Sequence, residues 1–261
     1  MGENMTDKCS PIGFFDSGVG GISVLKTAFN LMPNENYIYY GDSKNAPYGQ
    51  KSEEEIKQLS LDAGNVLFGY GVKAIVMACN TATSAAVKIM RQRYNIPVIS
   101  MEPAVKPALE VEGKVVVLAT PATVSQNRYN GLLQRLSAGD KVINIGCSGL
   151  VELIEDGHTD ADTISRYLDG RLTVLGNEKI GAVVLGCTHY SFVEKTIAKY
   201  MKANYNEGCK IFDGKQGTAN QLLHILQNKG MICMQTPSRI EFATSGDPNN
   251  IQKYQELFES F

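Results

Sequence analysis

The chain has 261 residues and a formal charge of −2, with 43% hydrophobic and 20% charged residues. That balance suits a soluble globular chain with a large core, and it excludes bulk attraction to nucleic acid or anionic lipid. No stretch approaches the ~18 apolar residues of a membrane span, and the polar start Met1 to Ser10 lacks the apolar centre of a secretory signal.

Met1-Gly2-Glu3-Asn4-Met5-Thr6 fits the loose N-myristoylation pattern, but no basic patch or second anchor follows it, so it is set aside. The six cysteines, Cys9, Cys79, Cys147, Cys187, Cys209 and Cys233, are scattered and contain no C-x-x-C pair. Free thiols in a reducing cytoplasm are therefore expected.

In chain order, Ile12 to Asp16 reads as a short apolar strand ending in an acid. The turn Ser17-Gly18-Val19-Gly20-Gly21 leads into a helix from Ile22 to about Met32. Glycines there let backbone N–H groups approach an anion, and they are equally consistent with a tight strand-to-helix turn. Tyr37 to Gly41 is a second strand, and the loop Asp42 to Gly49 suits a substrate cover or a plain connector. Ser52 and Glu55 form a capping box for a helix to about Tyr70. Ala74 to Ala78 is a third strand, followed by Cys79 and a helix from about Thr83 to Arg93.

Val98 to Ser100 is a strand, and Met101-Glu102-Pro103 is read as a crossing between halves. Lys114 to Ala119 is a strand with the polar end Thr120-Pro121-Ala122-Thr123, then a helix from about Ser125 to Leu136. Lys141 to Gly146 ends at Cys147, a short helix carries Glu152 and Glu155, and a longer one runs from about Asp160 to Leu172. Ala182 to Leu185 leads to Cys187 and a helix from about Phe192 to Lys202. Lys210 to Asp213, a helix Thr218 to Lys229, Ile240 to Thr244 and a last helix from about Pro248 complete the chain. Strands alternating with helices give an α/β class with largely parallel sheets.

Two stretches match each other: Ala74-Ile75-Val76-Met77-Ala78-Cys79-Asn80-Thr81 and Ala182-Val183-Val184-Leu185-Gly186-Cys187-Thr188-His189. Each is a buried parallel strand that delivers a cysteine to the start of a helix, where a thiolate is favoured. The cysteines are 108 residues apart, which fits two pseudo-symmetric halves with a site in the cleft between them. Two opposed thiols can invert a carbon: one takes a proton from one face, and the other gives a proton to the opposite face. Asp16 and His189 could assist proton movement, while Asn80, Thr81, Thr188 and the Gly-rich turn could hold carboxylate groups. Cys9, Cys209 and Cys233 read as inert buried hydrophobes, and Cys147 has no neighbouring acid or base in Ser148-Gly149.

The sequence resembles the glutamate racemase family at four motifs. These are Phe15-Asp16-Ser17-Gly18-Val19-Gly20-Gly21, Tyr40-Gly41-Asp42 with Pro47-Tyr48-Gly49, Ala78-Cys79-Asn80-Thr81-Ala82, and Leu185-Gly186-Cys187-Thr188-His189-Tyr190. Thr244-Ser245-Gly246 is similar to the family's last strand end. The resemblance implies a first α/β domain from both chain ends, residues 1–100 and 212–261, and an inserted domain, residues 101–211. It implies Cys79 and Cys187 as the acid/base pair, assisted by Asp16, His189 and a glutamate. Alignment of the family's Val/Ile-Glu ending puts that glutamate at Glu155, one turn beyond Glu152. It further implies substrate contacts from Asp16, Ser17, Tyr48, Gly49, Asn80, Thr81, Thr188 and His189. No cofactor or metal, no nucleic acid and no membrane partner is expected; a homodimer is left open. The implied activity is racemisation of glutamate, supplying D-glutamate for peptidoglycan in the cytoplasm. The Asp213-Gly214 pair departs from the family's Asp-Ser. Competing readings are a racemase for aspartate or a related acid, a two-lobed non-catalytic binder of acidic amino acids, and a thiol redox protein.

Overall fold

The computed structural model describes residues 7–234 and 238–261; the Met1–Thr6 pattern lies outside the described residues. The first part of the chain runs β1 (Ile12–Asp16), α1 (Ile22–Leu31), β2 (Tyr37–Gly41), α2 (Glu53–Gly69), β3 (Ala74–Met77), α3 (Asn80–Arg93) and β4 (Val98–Ser100). It continues α4 (Val105–Ala108), β5 (Lys114–Ala119), α5 (Pro121–Ser125), α6 (Asn127–Arg135), β6 (Val142–Gly146), α7 (Leu150–Glu155), α8 (Ala161–Leu172) and β7 (Ile180–Gly186). The remainder is α9 (Glu194–Asn204), β8 (Lys210–Asp213), α10 (Lys215–Asn228), β9 (Ile240–Thr244) and α11 (Asn249–Ser260).

Among the described residues every strand pairing is parallel. Parallel strands need crossover helices, which cover both faces, and continuous apolar runs are the consequence. All four residues of β3 and all seven of β7 are buried. One sheet has the order β4-β3-β1-β2-β9 and the other β6-β5-β7-β8. Read from the opposite edge, the second order is β8-β7-β5-β6. It therefore repeats β4-β3-β1-β2, with β9 as an addition to the first sheet. Cys79 after β3 and Cys187 after β7 thus occupy equivalent places. Asp16 ends the central β1; by strand register its counterpart in β5 is Ala119, and Thr120 is the counterpart of Ser17. The repeat is of architecture and of the two cysteines, and the side chains around them differ.

The chain leaves the first sheet at Met101–Glu102 and returns to it at Asp213–Gly214. A Cβ on Gly214 would lie 2.6 Å from the Glu102 carbonyl oxygen. The two crossings touch there, which is the physical reason for glycine at this position. The expected capping box is present: Ser52 accepts from the Glu55 N–H at 3.3 Å, and Glu55 accepts from the Ser52 N–H at 2.9 Å. Such caps contribute about 1 kcal/mol.

Some boundaries differ from the sequence reading. α3 begins at Asn80, three residues early, because Cys79 itself caps it. The helix expected from about Ser125 to Leu136 is α6, and a short additional helix, α5, precedes it, capped by Thr120 and separated from α6 by the extended Gln126. Cys187 does not open an α-helix; a 3-10 turn, Thr188–Val193, intervenes before α9.

The expectation of free thiols throughout is corrected. Cys9 and Cys233, 224 residues apart in sequence, form a disulfide. Lys73 and Glu35 form a buried ion pair beside it, with side chains 0% and 1% exposed. The Lys73 ammonium also donates to the Lys8 carbonyl and, at 2.8 Å, to the Met231 carbonyl. Glu35 accepts from the Cys233 N–H at 2.9 Å. The buried pair gathers the backbone flanking both cysteines and brings them together, a tertiary effect with no local signature. Cys79, Cys147, Cys187 and Cys209 are free. Among the described residues no helix is long and apolar enough to cross a membrane.

Candidate active site

The strand ends of the two sheets meet around Asp16, Cys79, Cys187 and His189. Asp16, the last residue of β1, is wholly buried. It accepts from the Gly18 N–H at 3.0 Å and from the Thr188 hydroxyl, in the other half, at 3.1 Å. Cys79 is 5% exposed, and its sulfur accepts from the Ala82 N–H at 3.4 Å as the cap of α3. The Ser17 hydroxyl lies 3.6 Å from the same sulfur.

On the other side, Cys187 is 7% exposed, and its sulfur lies 3.9 Å from His189 Nδ1. His189 Nε2 lies 2.6 Å from Glu155 Oε1. Glu155, at the end of α7, also accepts from the Val19 N–H at 3.2 Å and from the Lys253 ammonium at 3.3 Å. Glu152, one turn earlier, instead accepts from the Gln50 side chain. Glu155 is therefore the carboxylate that touches His189.

The Gly-rich turn does meet a carboxylate, but one supplied by the protein. Its Val19 N–H serves Glu155, and its Gly18 N–H serves Asp16. A Cβ on Gly18 would lie 2.3 Å from Glu155 Oε1, and one on Gly20 2.3 Å from Thr188 Oγ1. The missing side chains let the first half close onto Thr188, His189 and Glu155.

The other expected contact residues are distributed as follows. Thr81 joins its hydroxyl to Thr120 at 2.9 Å and Thr123 at 3.0 Å, a buried cluster linking α3 to α5. The buried Tyr48 gives its phenol to Asp42 at 2.5 Å, so that hydroxyl is already engaged. A Cβ on Gly49 would lie 2.8 Å from Thr120 Cβ, so this loop also presses on the second half. Asn80 is 2% exposed, and neither polar atom of its amide has a hydrogen-bond partner among the described residues. A buried amide without partners is costly, on the order of 1–3 kcal/mol, and such groups mark ligand sites. A small cavity of about 10 Å³ lies nearby, lined by Gly49, Gln50, Thr120, Cys147 and Glu152 among others. The two halves are closed on each other.

Burial dominates the electrostatics. It pushes the Asp16 carboxyl up to about 6, against the pull of His189 and the Gly18 and Thr188 hydrogen bonds. Burial, followed by the Asp16 charge, pushes the Cys79 thiol up to about 12. The Ala82 N–H and the Ser17 hydroxyl oppose this, while Cys187 is near enough to add to it. The expectation that a helix N-terminus makes Cys79 a ready thiolate is thus corrected: a single N–H does not offset complete desolvation. Burial alone would lower His189, but its contacts to Cys187 and Glu155 win, and the imidazole is held protonated well above its ordinary range. Burial would raise Glu155, yet His189 and Lys253 hold it down at about 2. The site therefore has Cys79 held as the neutral thiol on one side and, on the other, Cys187 beside a charged His–Glu pair.

Lys253, Thr120, Thr123 and the Val19 N–H were not legible as site groups. The signals in the chain were the polar strand end Thr120-Pro121-Ala122-Thr123 and, for Val19, the Gly-rich turn.

Two matched parallel sheets thus gather thiols, a carboxyl and an imidazole between their strand ends. The family model for Asp/Glu/hydantoin racemases matches residues 23–222. The chain is 48% identical over 224 residues to a glutamate racemase of Clostridium botulinum, covering 85% of this chain and 86% of that one. Its fold is similar to an isoform of glutamate racemase from Bacillus anthracis, with TM-score 0.86, 31% identity and coverage of 97% and 95%. It is also similar to the glutamate racemase of Francisella tularensis solved in complex with D-glutamate, with TM-score 0.84, 29% identity and coverage of 97% and 95%. The chain belongs to the Asp/Glu/hydantoin racemase family, and it is a racemase by that membership.

Proposed function

We propose that this enzyme interconverts L- and D-glutamate without a cofactor, using Cys79 and Cys187 as a two-base pair. The observation that carries the reading is the equivalent placement of the two thiols after β3 and β7, with His189 beside Cys187 and the Ser17 hydroxyl and the Asp16 charge near Cys79. In one direction Cys187, assisted by His189 and Glu155, takes the α-proton of L-glutamate. The electron pair is left on the α-carbon and delocalised into the carboxylate, and the Cys79 thiol donates its proton to the opposite face. In the reverse direction Cys79, assisted by Asp16, takes the proton of D-glutamate and Cys187 returns one. The sulfur charges exchange, so each turnover leaves the enzyme poised for the opposite direction.

Asn80 supports the substrate assignment, because its buried amide can bond a carboxylate with its NH₂ and an ammonium with its oxygen. Ser17, Tyr48, Gly49, Thr81, Thr188 and His189 complete the proposed contact set. Glutamate is favoured over aspartate by the names of the relatives. The enzyme would supply D-glutamate for peptidoglycan from the cytoplasm, with or without pairing as a homodimer. The two sheets support a reading as two domains, one built from both chain ends and one inserted.

A circular-dichroism assay with each glutamate enantiomer tests the activity, after exhaustive dialysis against a chelator and a carbonyl-trapping reagent. Full turnover in both directions is expected. Loss of activity restored by pyridoxal phosphate would overturn the cofactor-free reading, and turnover of aspartate alone would overturn the substrate.

A further inference from the structure

We propose that Lys253 is a positioning residue: reaching from the C-terminal helix of the first half, it holds Glu155 of the second half against His189. This rests on the reading above, in which Glu155 assists Cys187.

Glu155 is gripped from two sides. From its own half, His189 Nε2 contacts Oε1 at 2.6 Å. From the other half, the Val19 N–H reaches Oε1 at 3.2 Å, and the Lys253 ammonium reaches Oε2 at 3.3 Å and the Glu155 main-chain carbonyl at 3.2 Å. Lys253 therefore fixes both the backbone and the side chain of Glu155. It sits on α11, which follows β9, the strand that the second sheet does not repeat. The first half thus adds an element with no counterpart, and this element reaches the assisting carboxylate of the other half.

The Lys253 side chain is 42% exposed and that of Glu155 25%. An ion pair this open contributes little to stability. Its consequence is geometric: it selects which carboxylate oxygen is left for the imidazole. Because Lys253 and Val19 belong to one half and Glu155 to the other, the grip on Glu155 depends on how the two halves are seated on each other. Seating the halves and aligning the Glu155–His189 pair are thus coupled, which preorganises the proton transfer at Cys187.

The test is a set of variants assayed in both directions with protiated and α-deuterated glutamate. Lys253→Met is expected to lower kcat from L-glutamate about 10-fold, less than the ~100-fold that a 1 Å misplacement can cost. The primary isotope effect should rise for L-glutamate and not for D-glutamate. Lys253→Arg, which keeps the charge and reach, should restore kcat to within about twofold. In a Glu155→Gln background, Lys253→Met should cost nothing further. The unfolding midpoint should be unchanged by either Lys253 substitution. Wild-type kinetics for Lys253→Met beside an impaired Glu155→Gln would overturn the proposal. So would independent, multiplying losses in the double variant, or equal isotope effects in the two directions. Full activity of Glu155→Gln alone would instead remove the underlying role of Glu155.

Discussion

The Thr188 hydroxyl of one half donates to the Asp16 carboxylate of the other at 3.1 Å. This hydrogen bond links the residue beside Cys187 to the acid that serves Cys79. It also opposes the burial that raises Asp16 to about 6. Activity that needs the Asp16 carboxylate should fall as pH drops through about 6. Thr188→Val removes a hydrogen bond that favours the charged form, so this acid limb should move to higher pH. A pH profile of kcat/KM checks it; an unmoved limb would contradict the role of Asp16.

The same shift has a stability sign. Asp16 is raised above its ordinary value of 3.8, so the folded state prefers the protonated acid. The penalty is absent well below pH 4, develops as pH rises through about 4 to 6, and is complete above that window. Asp16→Asn should therefore stabilise the fold at pH 7, by up to about 3 kcal/mol, while lowering turnover. Denaturant midpoints at pH 4 and pH 7 separate the effect: the gain should shrink at the lower pH.

Glu155→Gln should lower kcat by about 100-fold, because it removes the charge paired with His189, whereas Glu152→Gln should change it less than about threefold. Glu152 meets the exposed Gln50 side chain and not the imidazole. The reverse pattern in steady-state kinetics would move the assisting role one turn along α7.

Gly20→Ala should hold the halves apart. Its Cβ would lie 2.3 Å from Thr188 Oγ1 and 2.7 Å from His189 Nδ1, and neither group can move without leaving the site. A kcat loss of about 100-fold is expected with a stability loss no larger than about 1–3 kcal/mol. Kinetics and unfolding measured on the same sample check this.

Away from the site, Lys73→Met strands the Glu35 charge in the interior. It should cost on the order of 3–5 kcal/mol, and Lys73→Met with Glu35→Leu should recover much of the loss. Reduction of the Cys9–Cys233 bond should cost about 2–5 kcal/mol. Urea midpoints measure both.

What could be read from the chain follows from where the physics is local. Ala74 to Ala78 and Ala182 to Leu185 announce buried parallel strands because their apolar runs are continuous, and β3 and β7 fall there. Ser52 and Glu55 announce a helix start because the cap is completed within four residues. Charge states at Cys79 were misread because the helix N-terminus is local and visible, while the burial that outweighs it is tertiary. The Gly-rich turn was read as an anion cradle, correct in chemistry but silent on whose anion it holds. Lys253 and the Cys9–Cys233 pair carry no pattern at all; each depends on a partner about a hundred or more residues away.

The most direct measurement follows the α-hydrogen in deuterium oxide. L-glutamate is incubated with the enzyme, and both enantiomers are separated early and analysed for deuterium at the α-carbon. With Cys187 removing the proton and Cys79 donating from the opposite face, D-glutamate should carry solvent deuterium while recovered L-glutamate keeps its proton; starting from D-glutamate, the labels should reverse. Product that retains the substrate's own proton would contradict two thiols acting on opposite faces.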